Sequence, residues 1–149
     1  MMKNVSSVHG LAMVEFTILL PIFLVILLST MELGRAFYTY TELEKLTRDS
    51  VRYISSTIIT GDTGTISLTQ DHIDKTSNLI VYGNIEGGDK SLLPALTTDQ
   101  VSVTLIDNHI QVEIIYPYQP VLAEIPDFFN NGAISLNFNM TSSYIMRVL

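Results

Sequence analysis

From Leu11 to Thr30 the chain reads LAMVEFTILLPIFLVILLST, an apolar run with a single ionisable residue, Glu15. As one helix, such a run spans about 30 Å, the thickness of a bilayer's hydrocarbon core. Beyond Leu33 the polarity becomes periodic. Glu42, Lys45, Arg48, Asp49 and Arg52 recur three or four apart on one face, and Leu33, Phe37, Tyr40, Leu43, Leu46, Val51 and Ile54 fill much of the rest. That spacing predicts an amphipathic helix. No proline interrupts residues 22–93, and the first stop signal is GDTG, Gly61 to Gly64. The prediction is one helix of roughly 45 to 50 residues, with a transmembrane part over 11–31 and an outer continuation over 32–60.

The remainder, 61–149, predicts a small α+β domain. A short helix is expected over TQDHIDKTSNLIVYG, with Thr69 as N-cap, Asp71 in the first turn and Gly83 as terminator. NIEGGDKSLLPALTTD reads as a loop. The period then changes from about 3.6 to 2. Val101, Val103 and Leu105 alternate with polar residues. After Asp107-Asn108, Ile110, Val112, Ile114 and Tyr116 do the same, which predicts an antiparallel hairpin. Ile134, Leu136, Phe138 and Met140 share a face, and the parity resumes at Tyr144, Met146 and Val148. Fifteen unbroken residues would make about 50 Å of strand, so a bulge or bend is expected near Ser142. PYQPVLAEIPDFFNNG reads as a proline-punctuated loop. A three-stranded antiparallel sheet needs a cover, and the outer half of the long helix can supply it.

Composition sharpens this picture. Of 149 residues, 47% are hydrophobic, and the apolar run accounts for the excess. Residues 1–60 carry five basic groups (Lys3, Arg35, Lys45, Arg48, Arg52) and five acids (Glu15, Glu32, Glu42, Glu44, Asp49), so the net charge of -7 falls in 61–149. An acidic outer domain repels phosphates and argues against a nucleic-acid partner. With no cysteine, disulfides and thiol chemistry are excluded. His72 and His109 lack any flanking ligand pattern, GDTG and EGGDK lack EF-hand spacing, and no catalytic triad or phosphate loop occurs. Neither an enzyme nor a bound cofactor or metal is expected. The segment after the apolar run, STMELGRAFY, offers no small-x-small cleavage site. Lys3 before the run places the N-terminus in the cytoplasm and the C-terminal domain outside.

Glu15 is the residue that needs a reason. On the bland reading it benefits from the helix dipole and snorkels to the interface, Gly10 is an N-cap and Pro21 is a tolerated transmembrane kink. Together they suggest more. If the chain is cut after Gly10, Leu11 becomes a positive N-terminus about 6 Å along the helix from Glu15. A carboxylate in lipid is costly unless paired, and this amine, or a neighbouring subunit's, is a partner.

These residues resemble a known family. The stretch G/LAMVEF is similar to a class III, type IV pilin-like signal. The longer stretch through MELGRAFY to RDSVRYIS resembles the TadE-like family of pseudopilins of the tight-adherence (Flp) pilus. The likeness continues more loosely in VEIIYPYQP and a last strand ending MRVL, although some relatives carry a cysteine pair that this chain lacks. The resemblance implies a minor pilin needed for biogenesis of an adhesive pilus, with residues 1–10 as a leader. Gly10 and Leu11 would be the scissile pair of a prepilin peptidase. Glu15 would be read by the peptidase and used in assembly. Phe16 stands where major Flp pilins have tyrosine. Implied partners are the peptidase, other Flp pilins or pseudopilins, the inner-membrane assembly platform and the bilayer, and the implied place is the bacterial inner membrane, single pass, or a surface pilus. Glu32, Gly34 and Arg35 form the membrane-exit motif, with Glu32 and Arg35 expected to pair, and Phe37, Tyr38 and Tyr40 read as an aromatic belt and core residues. The alternatives are an uncleaved single-pass protein with a ligand- or partner-binding outer domain, a secretion-system pseudopilin and an anchored envelope enzyme.

Overall fold

The computed structural model describes residues 6–60, 65–121, 124–126 and 132–148, so the expected stop signal at 61–64 lies outside the described residues. The first helix, α1, runs from Ser6 to Thr57 as one continuous element with Pro21 inside it. Gly10 therefore lies within the helix and is not its N-cap. The end of α1 is written in its hydroxyls. Ser55 Oγ donates to the Arg52 carbonyl (3.0 Å), and Ser56 Oγ and Thr57 Oγ1 donate to the Tyr53 carbonyl (2.8 Å each). Such bonds compete with the helical ladder, and the β-branched run Thr57–Thr60 favours extended backbone. The chain turns into β1 (Ile59–Thr60), which pairs antiparallel with β2 (Thr65–Ile66), a short ladder the sequence pattern did not announce.

The second helix, α2 (Gln70–Tyr82), has the expected ends. Thr69 is its N-cap in extended conformation, though its hydroxyl lies 3.0 Å from His72 Nδ1 and makes no capping bond. Asp71, in the first turn, accepts from Lys75 Nζ at 2.7 Å. That hydrogen bond and the carboxylate's charge hold the Lys75 ammonium above its usual range. Gly83 closes the helix at φ 74°, its N–H reaching the Leu79 carbonyl at 2.9 Å. A Cβ there would be strained by the left-handed backbone and would press on Leu92 at 3.3 Å.

A 3-10 turn (Thr98–Gln100), closed by a capping box between Thr97 and Gln100, leads into β3 (Val101–Ile106). Asp107, at φ 53°, turns the chain into β4 (His109–Tyr118). The last strand, β7 (Phe138–Arg147), pairs with β4 to give an antiparallel sheet of order β3-β4-β7. Between β4 and β7 lie two three-residue strands that pair with each other, β5 (Glu124–Pro126), where the sequence predicted a loop, and β6 (Ala133–Ser135), which it read as the start of the last strand. The architecture is α+β, as predicted: a long helix, a short helix and a three-stranded antiparallel sheet.

The expected bend near Ser142 is not there. The β4–β7 register runs without a break from His109↔Arg147 to Tyr118↔Phe138, and the strand is interrupted instead at Leu136–Asn137, before β7 begins. Ser142 stays in the strand because its hydroxyl has a buried partner. Thr47 Oγ1 donates to the Leu43 carbonyl at 2.8 Å and lies 2.9 Å from Ser142 Oγ, so a hydroxyl on the helix meets one on the strand inside the core.

Two compact units can be distinguished: Ala36–Gln119 with Asn137–Leu149, and Met1–Arg35 with Pro120–Leu136. In the first, the even-numbered face of β4 (Ile110, Val112, Ile114, Tyr116, Tyr118) is buried with Val103, Met140 and Val148. Leu43, Val51 and Ile54 of α1, Ile58 just after its end, and Ile80 and Val81 of α2 belong to the same cluster. The Tyr116 hydroxyl donates to the Pro94 carbonyl at 2.8 Å, so burying that ring leaves no orphaned polar atom. The helix stripe is core only from Leu43 onward; Phe37 and Tyr38 are exposed, which leaves them to the aromatic-belt reading and not to the core.

The Thr47–Ser142 pair generates a test. Thr47→Val keeps the shape but removes the hydroxyl facing Ser142, and should destabilise the fold by about 1–3 kcal/mol. The double variant Thr47→Val/Ser142→Ala should recover much of that loss, because neither side is then unsatisfied. Denaturant titration of the detergent-solubilised protein, comparing the two single variants with the double, measures the coupling.

Candidate functional site

Every residue singled out in the sequence lies on α1: Gly10, Leu11, Glu15, Phe16, Pro21, Glu32, Gly34 and Arg35. The helix brings Leu11 and Glu15 to one side, one turn apart, and it brings Glu32 and Arg35 together in the same way. Arg35 Nη1 lies 3.8 Å from Glu32 Oε1, the pair expected at the membrane exit. Gly10 and Gly34 have open space where a Cβ would be, so nothing packed within the chain requires glycine at either position.

Residues 10–24 are all exposed, Leu11 by 72% and Phe16 by 65%. The helix carries a window of mean hydropathy 2.7 that is 0% buried, which makes it long and apolar enough to cross a membrane. Between Leu11 and Leu28 there are 13 exposed large apolar side chains. Removing them from water is worth on the order of 20–40 kcal/mol, at about 1.5–3 kcal/mol each. A carboxylate at mid-bilayer costs about 3 kcal/mol on insertion scales, and Glu15 is near the end of the run, where the penalty is smaller. Insertion wins by an order of magnitude.

The polar atoms of this half are arranged for an apolar solvent. Thr17 Oγ1 donates to the Met13 carbonyl and Thr30 Oγ1 to the Ile26 carbonyl, both at 2.8 Å, so each hydroxyl is satisfied by its own helix. Pro21 has no amide hydrogen to give the Thr17 carbonyl, a local gap that transmembrane helices tolerate.

Residues 10–52 match the family model of TadE-like proteins. Over that segment the chain is similar to TadE-like proteins. No curated protein and no solved structure matches the chain. The TadE-like segment begins at Gly10 and ends inside α1, so it takes in the whole apolar run, the exit motif and the first part of the core-facing stripe.

One contact in the TadE-like segment has no counterpart in the sequence reading. Glu32 is buried, and its Oε1 accepts the backbone N–H of Val121 at 3.3 Å, 89 positions away. An acid at a membrane exit was flagged by its type, but no local signal pairs it with a backbone amide so distant in sequence. Elsewhere the described residues contain no group of three or more His, Cys, Asp or Glu placed to hold a metal ion.

The energy comparison carries a testable outcome. Wild type and Glu15→Ala should be retained equally in the membrane pellet after alkaline carbonate extraction, because a change of about 3 kcal/mol is small beside 20–40. Release of either into the soluble fraction would contradict the membrane assignment of this helix.

Proposed function

We propose that the chain is a minor pilin, or pseudopilin, of a tight-adherence (Tad) pilus, inserted through α1 and trimmed by a prepilin peptidase between Gly10 and Leu11. The observation that carries the reading is the TadE-like match over 10–52. Its coincidence with an exposed, bilayer-length helix bearing one acid near its start supports it. Hydrolysis of the Gly10–Leu11 bond leaves a carboxylate on Gly10 and an amine on Leu11. An α-amino group titrates near 8, so at neutral pH it is mainly an ammonium. It stands one helical turn from Glu15, and either that carboxylate or a neighbouring subunit's neutralises it. Burial of apolar surface gives little drive for leaving lipid, since helix surfaces and acyl chains are similarly apolar. Charge pairing between subunits then supplies register, and an ATP-driven platform supplies work. The role is structural, not enzymatic, and the other pilins of the same pilus are its partners.

A second reading keeps the leader as part of an uncleaved single-pass protein. The observation that favours it is that α1 already runs through Gly10 from Ser6, so the helix does not mark the scissile bond with a break. A peptidase acting there must first open the end of the helix, and helix ends are where opening is least costly.

Intact-mass measurement separates the two. In cells with an active peptidase the mature chain is expected to begin at Leu11, and the intact Met1 form alone would sink the processing reading. Glu15→Ala is expected to remain in the membrane while its recovery in purified pilus complexes falls at least tenfold. Normal recovery of that variant would take Glu15 out of assembly.

A further inference from the structure

The segment Pro120–Leu136 leaves the three-stranded sheet after β4 and returns to it as β7. It forms one compact unit with Met1–Arg35, the half of α1 that holds the bilayer-length run. The contact is specific: the Val121 amide donates to Glu32 Oε1 at 3.3 Å. Glu32 is only 7% exposed, whereas its neighbours Met31 and Leu33 are 67% and 71% exposed. Reduced exposure continues at Ser29 and Val25, three and seven residues earlier on the same face, about 10 Å along the helix from Glu32. The Val121 side chain is itself 72% exposed.

The geometry points to a second membrane contact in this protein: Val121 rests at the lipid headgroup layer beside the exit of α1, held there by Glu32 as a positioning residue. This rests on the reading of α1 as membrane-spanning. Two constraints bracket the depth. Glu32 follows the last residue of the apolar run, Thr30, by two positions, or about 3 Å, so whatever its carboxylate holds lies at the level where hydrocarbon gives way to headgroups. The segment cannot sink deeper. Its β5–β6 ladder has only two strands, and among the described residues no third strand pairs with either edge. Open backbone edges are excluded from hydrocarbon but are satisfied by water and headgroups at the interface.

The occupant is lipid because Val121, Met31 and Leu33 present exposed apolar side chains at that level, continuous with the lipid-facing surface of α1. Residues 120–136 contain Glu124 and Asp127 and no lysine or arginine. The contact is therefore one of apolar insertion, independent of anionic lipid and insensitive to salt.

The chain has no cysteine, so Val121→Cys and Leu24→Cys are unique labelling sites. Each full-length variant, carrying an environment-sensitive fluorophore, is reconstituted in phosphatidylcholine vesicles with nitroxide lipids quenching at shallow or deep positions. The Val121 label should be quenched at least twofold more by shallow than by deep nitroxides, equally at low and high salt, and the Leu24 label more by deep ones. Adding Glu32→Ala should abolish the Val121 quenching and leave that of Leu24 unchanged, while Glu32→Gln, whose amide oxygen still accepts the Val121 N–H, should preserve it. A quenched Leu24 beside an unquenched Val121 overturns the second contact but keeps the membrane helix; loss of both overturns the two together. A Val121 label shielded from lipid nitroxide and aqueous iodide alike would mean a protein neighbour and would also overturn it. Unchanged Val121 quenching in Glu32→Ala would remove Glu32 from the role.

Discussion

The constraint on which this protein depends is that one continuous helix carries two different surfaces, an exposed apolar one and one that packs into a core. The internal hydrogen bonds of an α-helix satisfy its backbone wherever it is placed, so only side chains need change along its length. In the apolar half every large side chain through Leu24 is exposed, and the hydroxyls of Thr17 and Thr30 turn back on the helix's own carbonyls. In the other half Leu43, Val51 and Ile54 are fully buried, and Thr47 uses its hydroxyl in the core. The switch is made within a few turns, without any interruption of the backbone.

That division explains why a lone acid in the apolar run is informative. Set against the transfer energy of its apolar neighbours, Glu15 is too small a perturbation to prevent insertion, and its position near the end of the run lowers the penalty further. Its retention in the run makes sense if a cation becomes available nearby, which processing after Gly10 would provide. Glu32 handles the same problem differently. It is buried beside Arg35 and accepts a backbone amide, so its charge is met by partners already within the chain.

Much of the fold was legible because the patterns were long. An apolar run of bilayer length followed by a helical period through Leu33–Ile54, an alternation of two through Val101–Tyr116, and the Thr69 and Gly83 caps of α2 are local signals, and the structure follows them. The failures are equally physical. Ser142 read as a bend because fifteen unbroken residues make too long a strand for this domain, yet the strand breaks earlier, at Leu136–Asn137, and a partner from another element, Thr47, makes Ser142 a core residue. The bland reading of Gly10 as an N-cap also fails, because in this chain the helix runs through it. The β5–β6 pairing lay hidden among prolines and short apolar runs, and Phe37, read on the apolar stripe, is not covered. Periodicity tells which face is apolar; it does not tell how far along the helix a cover extends.

The Thr47–Ser142 contact bears on load. If the chain serves as the proposed pilin, it is hauled by its N-terminal helix, and the sheet packed on the outer half of that helix must follow without slipping. Apolar side chains alone resist sliding weakly, because one methyl group can replace another in the next groove. The Thr47–Ser142 hydroxyl contact belongs to one register: displacing α1 by 5.4 Å would carry Thr47 away and leave the buried Ser142 hydroxyl without the partner it has here. In such a subunit the pair would act as a shear pin, coupling traction on the helix to the sheet packed against it.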